Sequence, residues 1–232
     1  MMGHDMGDAP ELALGPPAAA TPPTEGGATR GAVGRLRALV LAVAVATLAL
    51  CIGAAVLLRP RAPPLEVLGQ LPVYRLEDQR GQPFGTDELR GKVYAAAFFF
   101  TSCPTVCPRI SSAMAAVQAR SERLGAAFHL VSFTVDPEND TVEVLADYAR
   151  EYRADPARWT FLRGDEAALM RVVVDGFKLA MGKEPGGPSA IFHSEKLVLV
   201  DRDGRIRGYY EATDAGAEVL VDAAARLVDE GE

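Results

Sequence analysis

The longest hydrophobic stretch of the chain is an uncharged apolar run at residues 38–58, ALVLAVAVATLALCIGAAVLL. It is long enough to cross a bilayer as a helix. It exceeds the apolar core of a cleavable signal peptide and lacks a clear small-residue cleavage site near its end. The pattern therefore predicts a retained transmembrane anchor. We expect a disordered tail at residues 1–37, the anchor at 38–58, a proline-containing linker at 59–68 and one folded domain at 69–232.

Within the domain, short apolar runs alternate with segments whose apolar residues recur at helical spacing. Short runs rich in β-branched and aromatic side chains predict strands. Strands are expected at residues 71–76, 82–84, 93–100, 128–135, 159–162, 197–200 and 205–210. Helices are expected from residue 103 or just after it to 125, and at residues 141–153, 165–179 and 215–228. This alternation predicts an α/β sheet that is covered by helices on both faces.

Two cysteines separated by three residues follow the central strand, in FFFTSCPTVCP at residues 98–108. Pro104 suits the first turn of a helix, so a helix is expected to begin at or just after Cys103. Unpaired N–H groups and the helix dipole at such a position favour a thiolate over a thiol. Cys103 is therefore expected to be more acidic than Cys107. A dithiol directly after a central strand is typical of a thioredoxin-like domain.

The spacing alone leaves the chemistry of Cys103 and Cys107 open. Residues four apart on a helix have Cβ atoms roughly 5–6 Å from each other. This separation permits a small disulfide after modest adjustment, or one soft metal ion held by both sulfurs. A structural disulfide, or two buried thiols without a role, is the alternative. A pair at a strand-to-helix junction favours the reactive site.

Three histidines are available as a further ligand. His4 lies in the tail, and His129 lies in an apolar strand, where we expect it to be a core residue. His193 follows the GKEPGGPSA stretch and precedes the next strand, a position where loops often carry site residues. Two thiolates and an imidazole suit copper, because thiolates favour Cu(I) and nitrogen can also hold Cu(II). Zinc, which needs a fourth ligand or water, is the rival metal.

Charge adds information about partners and topology. Residues 1–68 carry five basic and five acidic side chains, so the whole net charge of −7 belongs to the remainder. An acidic domain without a basic run or a Gly-rich phosphate loop argues against nucleic acid as a partner. Three arginines precede the apolar run and two follow it, which slightly favours a cytoplasmic N-terminus. Because a working dithiol suits a compartment outside the cytosol, we expect a single-pass protein of a bacterial-type inner membrane, with its domain facing the periplasm or outside.

Three segments, TSCPTVCP, VSFTVDPENDTVEVLADYAR and FHSEKLVLVDRDGRIRGYY, resemble in this order the SCO/SenC family of membrane-anchored copper proteins, over residues 69–230. The resemblance implies a thioredoxin-like fold, one copper bound by Cys103, Cys107 and His193, and a role in assembling the CuA centre of cytochrome c oxidase. Its partners would be the CuA-bearing subunit of the oxidase and a copper donor protein. Asp136, in the DPxxDT match, would support the ligands or be an occasional ligand.

A second class of function uses the same cysteines. Cys103 and Cys107 would then be the redox pair of a thiol-disulfide oxidoreductase that reduces the cysteines of the oxidase copper site, through a mixed disulfide. The CxxxC rather than CxxC spacing weighs against efficient catalysis, and His193 would be idle in a pure reductase. A peroxidase is a weaker third interpretation. The sequence thus favours a metallochaperone over an enzyme.

Overall fold

The computed structural model describes residues 27–58, 63–179, 181–183 and 191–230, and only the backbone of residues 27–33, 55–57, 181–183 and 191–193. The chain divides into two units, Met1–Ala62 and Pro63–Glu232. Most of the expected tail and most of the stretch before His193 lie outside the described residues. Apart from residues 27–37, the boundaries of tail, anchor, linker and domain stay predictions from the sequence.

The described part of the first unit is the helix α1, Gly27–Leu57. Its segment Gly34–Ala54 is long and apolar enough to cross a membrane. The helix begins before residue 38, so residues 27–37, which the sequence analysis placed in the disordered tail, are helical. The physical reason is that helix growth is cooperative. The three arginines and two alanines of this stretch favour its extension beyond the apolar run, although its three glycines oppose it.

The second unit is built on a mixed β-sheet. Its described strands are β1 (Gly69–Gln70), β2 (Arg75–Asp78), β3 (Pro83–Gly85), β4 (Val93–Phe99), β5 (Phe128–Thr134), β6 (Trp159–Arg163), β7 (Met181–Lys183), β8 (Ile191–His193), β9 (Lys196–Val200) and β10 (Arg205–Glu211). Eight of them form one sheet in the order β1-β10-β9-β4-β5-β6-β2-β3, and β7 and β8 form a separate pair. The neighbours β4, β5 and β6 are parallel, whereas β9 pairs antiparallel with β4.

Helices lie between the strands of this sheet and after its last strand. They are α2 (Thr86–Leu89), α3 (Val106–Arg120), α4 (Val142–Glu151), α5 (Glu166–Met170) and α6 (Asp214–Asp229). A 3-10 helix, Glu122–Ala127, follows α3, and a π-helical segment, Arg171–Gly176, follows α5. The order β4-α3-β5-α4-β6 confirms the predicted α/β arrangement.

The central strand β4 is buried along its whole length, which requires cover on both faces of the sheet. Neighbouring strand residues point to opposite faces. Phe98 accordingly packs edge-on against Phe177, which follows the π-helical segment, with ring centroids 5.0 Å apart. Phe99 stacks on Tyr148 of α4 at 4.8 Å, and the Tyr148 hydroxyl lies 2.8 Å from the Ser111 hydroxyl of α3. The helices α3 and α4 therefore cover the Phe99 face.

The predicted hairpin near the end of the chain is confirmed as β9 and β10. The Asp201 carboxylate accepts hydrogen bonds from the N–H groups of Asp203, at 3.0 Å, and Arg205, at 2.9 Å. Gly204 supplies the left-handed backbone of the turn, with φ of 76°. Since Val200 pairs with Tyr94 near the start of β4, this turn lies at the end of the sheet where β4 begins.

Other boundaries differ from the predictions for local reasons. The strand expected at residues 71–76 begins only at Arg75, because Pro72 cannot donate a ladder hydrogen bond. The helix expected at residues 165–179 becomes π-helical after Met170. Its predicted N-cap is confirmed, since the Asp165 carboxylate accepts from the Ala168 N–H at 2.7 Å. The elements β1, α2, β7 and β8 have two to four residues each, which is too short for a periodic pattern.

Candidate functional site

The two cysteines lie where β4 ends and α3 begins. The turn after β4 is closed by a hydrogen bond from the Cys103 N–H to the Phe100 carbonyl, at 3.3 Å. Thr105 is the N-cap residue of α3. Cys107 therefore belongs to the first turn of the helix, whereas Cys103 precedes it. The helix begins three residues after Cys103, slightly later than the sequence predicted, but its first N–H groups still face the sulfur of that residue.

Cys103 is a partly exposed thiol that the start of α3 stabilises as a thiolate. The Cys107 N–H donates to the Cys103 Sγ at 3.4 Å. Partial burial opposes ionisation, but hydrogen bonds from three backbone N–H groups at the helix start, and from the Cys107 thiol, lower the pKa of Cys103 from its ordinary value. This is the direction that the sequence predicted from the helix N-terminus.

Cys107 has the opposite environment, because its side chain is completely buried. Burial raises the pKa of the Cys107 thiol well above its usual range, and the neighbouring sulfur of Cys103 and the carboxylate of Asp140 add to the effect. The pair is therefore asymmetric. The accessible thiol of Cys103 ionises easily. The buried thiol of Cys107 stays protonated until another atom bonds to its sulfur in place of the proton.

A buried aspartate that the sequence analysis did not select lies against the cysteine turn. The Asp140 carboxylate accepts hydrogen bonds from the Thr101 N–H at 3.2 Å, from the Thr101 hydroxyl and from the Thr134 hydroxyl. Burial raises the pKa of Asp140, although these hydrogen bonds act against the increase. The available signal was the second aspartate of the DPxxDT match, in a loop that follows β5. The carboxyl ends of parallel neighbours such as β4 and β5 meet at one edge of a sheet.

Asp136, the aspartate that the resemblance singled out, is also buried. Its carboxylate accepts from the Asn139 side chain at 2.8 Å, and its N–H donates to the Thr134 hydroxyl at 3.0 Å. These described contacts order its own loop. The structure thus brings Asp140 to the cysteine turn, while a role for Asp136 toward the ligands stays a prediction.

His193 is the last residue of β8, where its backbone pairs with Met181; its side chain lies outside the described part. The segment that follows is joined to the cysteine helix. The Arg109 guanidinium of α3 donates to the Glu195 carboxylate at 2.7 Å. Arg109 is two residues after Cys107, and Glu195 is two residues after His193. The ion pair therefore brings the backbone next to His193 toward the helix that carries Cys107.

Among the side chains that the structure describes, no group of three or more His, Cys, Asp or Glu residues could hold a metal ion. The imidazole of His193 is outside that set. The described donors at the site are the two sulfurs.

The sequence of the second unit matches a known protein family. The family model SCO1/SenC matches residues 69–229. The chain belongs to the SCO1/SenC family. The match covers the described strands and helices of the second unit and the candidate site residues.

Solved structures of SCO1/SenC proteins have the same fold. A SCO1/SenC family lipoprotein from Bacillus anthracis str. Ames is 29% identical, with a TM-score of 0.66 over 71% of this chain and 99% of the other. BsSco, a Sco family cytochrome c oxidase assembly protein with a disulfide switch, is 26% identical, with a TM-score of 0.63 over 71% and 97%. Copper-bound ScoI of Bradyrhizobium japonicum is 26% identical, with a TM-score of 0.59 over 68% and 99%. The predicted thioredoxin-like α/β fold is confirmed.

His129 occupies the core of this SCO1/SenC domain, as the sequence predicted. Its Nε2 lies 2.9 Å from the Thr160 hydroxyl, and its ring stacks on Phe84 with centroids 5.7 Å apart. Burial, together with the positive charges of Lys92 and Arg158, lowers the pKa of His129 from 6.5 to about 4. The imidazole is therefore a neutral core group with its own hydrogen-bond partner.

Acid should destabilise the domain through His129. The unfolded chain protonates this imidazole near pH 6.5 and the folded chain only near pH 4, so its contribution is complete above pH 6.5 and is lost as the pH falls toward 4. Between pH 7 and 5 we expect a loss of about 2 kcal/mol in the free energy of unfolding, measured with urea. His129→Gln should remove this part of the pH dependence, and His4→Ala should retain it. An unchanged slope in His129→Gln would contradict the assignment.

Proposed function

We propose that this chain is a membrane-anchored copper chaperone that carries one copper ion as cargo through Cys103, Cys107 and His193. The acceptor is the CuA-bearing subunit of cytochrome c oxidase. The observation that carries the proposal is the pair of sulfurs at the start of α3, of which Cys103 receives an N–H hydrogen bond. Membership of the SCO1/SenC family supports it, as do a copper-bound relative and a relative described as an oxidase assembly protein.

The asymmetry of the two thiols suits the capture of a soft cation. Thiolates are the ligands that Cu(I) prefers. The accessible Cys103, whose thiolate is stabilised, offers the first sulfur to an incoming ion. Cys107 gives up its proton when the cation compensates its buried negative charge, so a filled site retains both sulfurs. His193 supplies a nitrogen that adds affinity for Cu(II), and Asp136 supports the ligands from the neighbouring loop.

The two units of the chain would divide the work. The α1 segment Gly34–Ala54 anchors the protein by a single pass in a bacterial-type inner membrane. The linker holds the copper-binding domain on the periplasmic or outer side, where a copper donor protein and the oxidase subunit can reach Cys103.

Replacing either site cysteine should abolish stable copper binding. For Cys103→Ser and Cys107→Ser in the full chain, purified in detergent, we expect Cu(I) affinity to fall by more than the roughly 100-fold that loss of a supporting residue can cost. The physical reason is that a hydroxyl is a poor ligand for Cu(I). Metal analysis and competition with a Cu(I) chelator measure the effect. Cys51→Ser, in α1, is the matched control and should bind one copper like the wild type; wild-type affinity in Cys103→Ser would refute the proposal.

A thiol-disulfide oxidoreductase is the second candidate, because the same asymmetry fits that chemistry. The Cys103 thiolate attacks a substrate disulfide, one substrate sulfur leaves as a thiolate, and a mixed disulfide forms. Cys107, after losing its proton, attacks the Cys103 sulfur and releases the second substrate thiolate. The substrate gains two electrons, and the protein keeps a Cys103–Cys107 disulfide. The disulfide switch named for BsSco supports this candidate.

A further inference from the structure

The carboxylate of Asp140 connects the cysteine turn to the end of a neighbouring strand. Its side chain is completely buried. It accepts from the Thr101 N–H and hydroxyl, at the start of the turn that leads to Cys103, and from the Thr134 hydroxyl at the end of β5. Thr101 and Asp140 are 39 residues apart in sequence. These bonds therefore join two loops that only the fold brings together.

The backbone of Asp140 is itself held from the far side. The Arg163 Nε donates to the Asp140 carbonyl at 3.0 Å, and its Nη2 donates to the Pro137 carbonyl at 3.1 Å. The remaining nitrogen of this guanidinium, Nη1, contacts the Glu77 carboxylate at 2.7 Å. The backbone of Asp140 is thus attached to β6 through Arg163, and its carboxylate binds the cysteine turn.

An ionised carboxylate satisfies this set of donors fully. It is an acceptor on both oxygens, and hydrogen bonds to a charged group are stronger than those between neutral groups. An asparagine has the same shape but offers one acceptor oxygen and an NH2 group. Asparagine would therefore leave at least one of the Thr101 and Thr134 donors without an acceptor. The cysteine turn would then be held less firmly to residue 140.

We propose that Asp140 is a positioning residue that holds the turn carrying Cys103 in place, so that the Cys103 sulfur stays at the first N–H groups of α3. The consequence for copper rests on the proposed function, whereas the consequence for the thiol does not. When the attachment of Thr101 is weakened, the turn moves, and the hydrogen bond from the Cys107 N–H to the Cys103 sulfur weakens.

The test compares Asp140→Asn with the wild type in the full chain, with alkylation at each cysteine resolved by mass spectrometry. Without copper, alkylation of Cys103 at neutral pH should slow by about 3- to 10-fold, the value of one hydrogen bond, while Cys107 stays protected. A general loosening of the fold would instead speed the alkylation of Cys107, and that result would overturn the proposal. With copper bound, the loss of Cu(I) to a chelator should accelerate by about 10- to 100-fold.

Asp201→Asn is the matched control. Asp201 is also a buried aspartate that organises a turn, but it lies at the opposite end of the sheet. It should lower the melting temperature without changing the alkylation of Cys103 or the release of copper. Equal effects of the two variants on Cys103 would reduce Asp140 to a stability residue and overturn the proposal.

Thr101→Val tests whether Asp140 acts through Thr101. If it does, Asp140→Asn should slow the alkylation of Cys103 much less in the Thr101→Val background, and fully additive effects would overturn the proposal. If the wild type binds no copper, the proposed function fails. The effect on thiol reactivity then supports or refutes the positioning role separately.

Discussion

Iodoacetamide should alkylate Cys103 at least about 100 times faster than Cys107 in the folded full chain at neutral pH. The reactive species is the thiolate, and each pKa unit between two thiols changes the ratio of their thiolate fractions about tenfold. The start of α3 lowers the pKa of Cys103, and burial raises that of Cys107. The complete burial of Cys107 also excludes the reagent. Peptide mass spectrometry after timed quenching measures both rates.

The pH dependence of the same reaction gives a second measurement. The rate at Cys103 should reach its plateau below the pH at which an ordinary thiol does. In urea, where α3 and the burial of Cys107 are lost, the two rates should converge. Equal alkylation rates at Cys103 and Cys107 in the folded chain would show that the start of α3 does not make Cys103 more acidic. They would also contradict the assignment of Cys103 as the accessible thiolate and Cys107 as the buried thiol.

The second large effect is expected at His193. His193→Ala should abolish Cu(II) binding and the charge-transfer absorption of a copper-thiolate bond, because Cu(II) prefers nitrogen and oxygen donors. Cu(I) binding should only weaken, since two thiolates can still hold that ion. Reduction of a model disulfide should stay nearly unchanged, because disulfide exchange needs only the two thiols. Titration with each copper state, absorption spectra and a disulfide reduction assay measure these three outcomes.

This variant also separates the two candidate functions. His4→Ala is the control, because it removes a histidine outside the domain and should leave all three measurements unchanged. Wild-type Cu(II) binding in His193→Ala would show that the imidazole is no ligand, and the chaperone proposal would lose its third donor. A variant that stays folded and reduces disulfides, yet no longer supports oxidase assembly in cells, would show that copper delivery is the function that matters.

The two aspartates of the DPENDT loop show where prediction from the sequence ends. The motif drew attention to the loop, and the resemblance selected Asp136. Hydrogen bonds join Asp140 rather than Asp136 to the turn of Thr101. These contacts depend on the parallel pairing of β4 and β5, in which Phe99 faces Thr134. A local sequence pattern does not show which strands pair.

Features that depend on local order were determined by the sequence alone. The length and period of apolar runs predicted the long apolar segment of α1, the buried strand β4 and the alternation of strands and helices. The junction after β4 predicted that Cys103 would be the more acidic thiol. These predictions are possible from the sequence because hydrophobic periodicity and helix-terminus electrostatics act over a few residues.

Features that depend on distant contacts were decided only by the tertiary structure. The burial of Cys107 and the attachment of the cysteine turn to Asp140 are of this kind. So is the Arg109–Glu195 pair, which joins residues 86 positions apart. The strands β1, β7 and β8 are also too short to be stable alone and exist through their partners. Burial and long-range hydrogen bonds arise only when separate elements pack together, so the environment of each sulfur follows from the fold as a whole.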